Sequence, residues 1–149
     1  MSENSLLSDN RPVSFGERLA NSQAFADLFR SGMALVEETA TYLDGPGRQE
    51  SKKLGRAAAL AYATESMRLT TRLMQLASWL LLHRAVKEGE MSLAQANKEK
   101  NKVKLSAADT HDTNNLALLP EPLRTLIERS VALQTQVRRL DATIHNRIT

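Results

Sequence analysis

Leu73-Met-Gln-Leu-Ala-Ser-Trp-Leu-Leu-Leu82 is the stretch whose reading decides the fold. It sits late in a run from Arg48 to Glu88 that contains no proline and a single glycine, a composition that favours helix. At ~100° per residue, Tyr62, Leu69, Leu73, Leu76, Ala77 and Leu80 share one face, Met67, Met74 and Leu81 lie on its flank, and Trp79 and Leu82 fall outside it. One amphipathic stripe does not hide all of them. Such a helix is either wrapped on several sides by its own chain or offers apolar surface to a partner, which suggests an interaction module rather than an enzyme.

Working outward, the spacing predicts a helix over about 51–88, roughly 55 Å long from its first possible residues, and this element is the spine. Upstream, Ser14-Phe-Gly-Glu17 has capping-box spacing, and Phe15, Leu19, Ser22, Ala26, Phe29, Met33, Val36, Ala40 and Leu43 recur in alternating four- and three-residue steps. Phe25, Leu28 and Leu35 widen that stripe. A first helix over about 15–43 follows, ended by the turn Asp44-Gly-Pro-Gly47. Residues 1–13 are polar and aperiodic and read as a flexible tail.

Downstream, Gly89 ends the spine and Ser92-Leu-Ala-Gln95 offers a second capping box for a short helix over 93–103. Polar turn formers dominate from Ser106, so 106–119 reads as a flexible loop. Pro120-Glu-Pro122 suits a helix start. Leu123, Leu126, Ser130, Leu133, Val137, Leu140 and Ile144 then keep near-heptad spacing, with Ile127 and Ile148 beside them, giving a last helix over 121–148. The expected fold is all-α: an antiparallel three-helix bundle with a long central helix, in one domain over 14–149.

Composition agrees with that class. Apolar residues make up 42% of the 149 and aromatics only 4%, a balance that favours helices over sheets. The chain has no cysteine, so disulfide and thiolate chemistry are excluded, and the composition suits a reducing cytoplasm. No apolar stretch approaches the roughly 20 residues of a membrane span, and the first ten residues lack the order of a secretion signal. A cytoplasmic protein is expected. The formal charge of +3 comes from 20 basic against 17 acidic residues, which is a poor basis for nucleic-acid binding.

The segment from Ala58 to Val86 with Glu88-Gly-Glu-Met91, together with Ser31-Gly-Met-Ala-Leu-Val-Glu-Glu38 and Tyr42-Leu-Asp-Gly-Pro-Gly-Arg48, resembles the RcdA family, regulators of CtrA degradation. The resemblance is good over Ser14 to Met91 and looser elsewhere. It implies a three-helix bundle that dimerises and works as an alphaproteobacterial adaptor of the ClpXP protease. The implied partners are ClpXP with its priming response regulator, a cyclic-di-GMP-binding protein, and cargo such as CtrA, with recruitment to a cell pole. The sequence ends at Thr149, just past the last expected helix, whereas some relatives carry a carboxy-terminal extension.

Chemistry-bearing constellations are weak. His83, His111 and His145 lie on separate segments, and only Asp109-Thr-His-Asp112 clusters metal-ligating types, so no metal is expected. No serine sits in a strained, glycine-rich elbow, and Gly45-Pro-Gly47 lacks the ending of a phosphate loop, so neither catalytic residue nor cofactor is assigned. Glu65, Arg68, Arg72, Gln75, Trp79 and His83, polar and aromatic positions at helix-neighbour spacing, form a ridge beside the apolar face. One reading makes it a solvated flank, with Glu65 paired to Arg68 and Trp79 lying over the end of the third helix. The other makes Arg68, Arg72, Trp79, Leu82 and His83 a partner-binding hot spot, since Trp and Arg dominate such sites. Met33, Met67 and Met74 offer a similar choice between core filling and adaptable recognition. Two other functions stay open: a helical nucleic-acid-associated protein using Lys98 to Lys104 with Arg124, Arg129, Arg138 and Arg139, and a purely structural homo-oligomer.

Overall fold

A computed structural model describes the backbone of residues 2–100 and 113–148 and the side chains of 22–100 and 115–143. The described chain is all-α. Its elements are α1 (Ser2–Asp44), α2 (Pro46–Lys52), α3 (Arg56–Lys87), α4 (Leu93–Lys100), α5 (Thr113–Leu116) and α6 (Glu121–Ile148). The last helix matches its expected bounds, and the others depart in instructive ways.

α1 is helical from Ser2, so the backbone expected to form a tail over 2–13 continues the helix, and Ser14 is not a helix start. Extending a formed helix fixes one residue per hydrogen bond gained, which is far easier than nucleating one. The spine is also broken. α2 forms a separate turn with Pro46 at its start, its end closed by the amides of Lys53 and Leu54 on the carbonyls of Glu50 and Ser51. Gly55 is then extended, with φ −68° and ψ 170°, and α3 begins beyond it. Ser92 does cap α4, its hydroxyl accepting from the Gln95 amide at 3.1 Å. The expected end of that helix and the first half of the loop over 106–119 lie outside the described residues, but 113–116 of that loop are helical as α5.

The three long helices pack pairwise around one core. Each contributes a buried seam, on α1 and α3 at alternating three- and four-residue steps. On α1 it is Phe25, Leu28, Gly32, Leu35, Thr39 and Tyr42; on α3, Glu65, Leu69, Arg72, Leu76, Trp79 and His83; on α6, Leu123, Ile127, Ser130, Leu133, Gln134, Val137 and Leu140. On α1 this is one position round from the expected stripe, because Gly32 and Thr39 occupy core positions that a hydrophobicity pattern skips. Gly32 is there for space. A Cβ on it would stand 2.5 Å from Leu80 Cδ1.

Contacts between named residues fix the directions. Ser22 meets Lys87 and Gly32 meets Leu80, while Glu38 meets Arg129 and Gly32 faces Leu133, so α1 runs antiparallel to both α3 and α6. Arg72 meets Ser130 and Trp79 meets Asp141, so α3 and α6 run parallel. The wholly antiparallel bundle is therefore corrected: consecutive long helices that run the same way need a connection returning the full length of the bundle, and residues 88–120 with α4 and α5 supply it.

Candidate protein-interaction site

The ridge singled out in the sequence does not form an exposed site. Trp79 is 1% exposed, Arg72 and His83 are buried with it, Leu82 is half-buried, and only Arg68 reaches the surface, where it holds buried Glu65 at 2.8 Å. Arg72 donates to Ser130 Oγ at 2.9 Å across the core. The burial of Arg72, Trp79 and His83 corrects their reading as a partner-binding surface and equally the reading of the ridge as solvated; of the second reading, the Glu65–Arg68 pair and the placing of Trp79 over the end of the last helix are what is seen. The ring packs against Phe25 and His83, with centroids 6.2 and 4.2 Å away, and its Nε1 donates to Asp141 Oδ1 at 2.9 Å.

Asp141 is a junction for three elements. Lys100 of α4 also donates to it, and His83 Nε2 stands 3.8 Å off. Burial alone would raise the carboxyl, but the hydrogen bonds from Lys100 and Trp79 outweigh it and the net shift is downward. Burial, reinforced by the Lys100 charge, lowers His83 to about 4 against the pull of Asp141, so the imidazole is neutral at pH 7. Through Lys100 and Trp79 the Asp141 carboxylate ties α4 and α3 to α6, while the buried His83 Nε2 makes no hydrogen bond.

The exposed apolar surface lies on the opposite side of α3. Leu60 is 69% exposed, Met67 71%, Met74 65% and Leu81 52%, each seven residues from the next. By helical geometry these four lie on average ~180° round the helix from the core seam and span about 32 Å of its length. Small or short side chains fill the positions between them, including Ala63, Thr70 and Ala77. Long knobs every heptad with small residues between them are what a facing helix packs against, and an apolar patch of this extent on a surface marks an interaction site. The sequence reading put Met67, Met74 and Leu81 on the flank of the buried face and did not single out Leu60; the seven-residue spacing of these four was the available signal. Met33, the third methionine considered, packs against the core instead.

Among the described residues no group of three His, Cys, Asp or Glu is placed to hold a metal, and no helix is long and apolar enough to cross a membrane. The cluster Asp109–Asp112 lies outside the described residues, as do Lys102 and Lys104 of the basic run. Of the basic residues weighed for nucleic acid, Arg129 is bound by Glu38 and Lys100 by Asp141, which removes two cations from any phosphate-tracking path.

Residues 16–149 match the family model described as a protein of unknown function, DUF1465. The crystal structure of RcdA from Caulobacter crescentus CB15 is similar in sequence and in fold: 54% identity, a TM-score of 0.65, and 78% of this chain matched to 87% of that one. No curated protein sequence matches the chain.

Proposed function

Because the chain belongs to the RcdA family, DUF1465, we propose that it is a non-enzymatic adaptor that promotes regulated proteolysis by delivering cargo, such as a CtrA-type response regulator, to ClpXP. The observation that carries this reading is the stripe Leu60, Met67, Met74 and Leu81, an apolar docking surface along most of the longest well-packed helix, on a molecule whose polar clusters are consumed in internal contacts. An adaptor works by raising the local concentration of cargo at the protease, which needs complementary surfaces and no bond-making group. The priming response regulator and a cyclic-di-GMP-binding protein are the partners the family reading supplies.

The stripe also suits a second copy of this chain. An antiparallel pairing about a two-fold axis between Thr70 and Thr71 sets Leu60 against Leu81 and Met67 against Met74, so the surface is complementary to itself. Dimerisation gives each assembly two of every other surface, which multiplies capture without new contacts. A purified degradation reaction tests the adaptor reading: added to ClpXP, its priming regulator and a fluorescent CtrA-type cargo, the protein shortens the cargo's half-life. An unchanged half-life across cargo concentrations would count against it.

A further inference from the structure

We propose that the cleft between α1 and α6 is a docking groove for a short segment of a partner protein that carries basic side chains around an apolar anchor. The inference rests on the adaptor reading and names one class of chain the adaptor takes. The cleft is an open groove of about 730 Å³, a volume in the range of small-ligand sites. Its walls are Tyr42 and Pro46 from the end of α1 and start of α2, and Pro122 and Leu126 from the first turns of α6, so its apolar part is rigid: two prolines, a ring and a leucine whose neighbours are core. A rigid cleft loses little entropy on closing around a peptide.

Charge selects the occupant. Glu37, Glu38 and Glu121 line the cleft with one cation, Arg129. Arg129 is already spent on Glu38 through two hydrogen bonds, at 2.5 and 3.2 Å, and that bond holds the Glu38 carboxyl below its ordinary range. Glu37 and Glu121 have no ion-pair partner among the described residues; Glu121 stands in the first turn of α6, and Glu37 sits on a shoulder shared with the neighbouring cleft of Arg30, Arg84 and Lys87, so the rim carries two carboxylates without a salt bridge. An apolar floor with an unpaired acidic rim is complementary to Lys or Arg flanking a Leu-like residue, and it repels an acidic segment. Placed between α1 and α6, the groove faces away from α3, so a dimer formed through the Leu60–Leu81 stripe leaves it open on both copies.

Fluorescence anisotropy with the full chain tests this, using a labelled Lys-Leu-Lys-Lys-Leu-Lys peptide and its Glu-Leu-Glu-Glu-Leu-Glu counterpart. The basic probe binds and the acidic one does not. Glu37→Lys with Glu121→Lys weakens binding by about 10-fold or more at low salt, and Ala34→Trp, which fills the same cleft from its α1 wall, does likewise. Glu90→Lys, at an exposed position beyond the end of α3, leaves affinity unchanged. Equal binding of both probes, or affinity indifferent to the Glu37 and Glu121 reversals and to Ala34→Trp in variants with native helicity, overturns the groove. Because no protease is present, such a result leaves the degradation reaction to judge the adaptor reading separately.

Discussion

Trp79 illustrates how single side chains misdirect a pattern reading. The apolar residues near it average to a face centred about 50° away from the true core seam of α3, because Glu65, Arg72 and His83 lie inside. Polar groups in a core are invisible to hydrophobic periodicity: Glu65 is paired with Arg68 and Arg72 with Ser130, while the neutral His83 ring is stacked on Trp79. Trp79→Ala is expected to cost about 3–5 kcal/mol of stability, by removing a filled volume and one of the hydrogen bonds to Asp141; urea denaturation measures it, and a loss under 1 kcal/mol would show that the indole is not a core residue. His83 gives a pH dependence. Its folded value near 4 lies below the ordinary 6.5, so between those limits the unfolded chain binds more protons. Stability is complete above about pH 6.5 and falls as the pH drops toward 4. Melting temperatures at pH 7.5 and 5 should show this fall, with a shallower slope in His83→Phe, whose ring keeps the stack on Trp79.

At the scale of elements, α6 was legible almost to the residue because its seam is apolar at nearly every turn and the polar Ser130 keeps the spacing. α1 and α3 were legible in existence but rotated in register, on α1 by Gly32 and Thr39, on α3 by the buried charges. The break between α2 and α3 was hidden because a lone glycine is tolerated inside many helices; here Gly55 is extended instead. α2 is held by packing no local propensity announces: Gly47 sits so close to the Tyr42 and Tyr62 rings that a Cβ would come within 2.7 Å of both, and Tyr42 donates to Glu50 at 2.5 Å. Burial and that bond raise the Tyr42 phenol, keeping it protonated as the donor. The exposed face of α3 has the converse property. Met67 and Met74 are largely exposed and stand outside the buried core cluster, so Met67→Glu with Met74→Glu is expected to leave the far-ultraviolet helical signal intact while abolishing self-association.

On the scale of the whole molecule, the sequence reveals the fold class, since three long periodic segments without strands leave little else to build. It does not reveal the direction of α6 relative to α3, which depends on how the segment from 88 to 120 returns along the bundle. Nor does it separate the two sides of α3, since both carry leucines. What the assembled molecule adds is a division of labour: an inner seam stabilised by apolar packing, an outer stripe on α3, and an acidic cleft between the other two long helices. Whether the outer stripe is an interface is decided by multi-angle light scattering on the purified chain at tens of micromolar. The expected mass is twice the 16.5 kDa of one chain, falling to one chain in Met67→Glu with Met74→Glu; a monomer at every concentration, or a dimer untouched by those two substitutions, would rule the interface out.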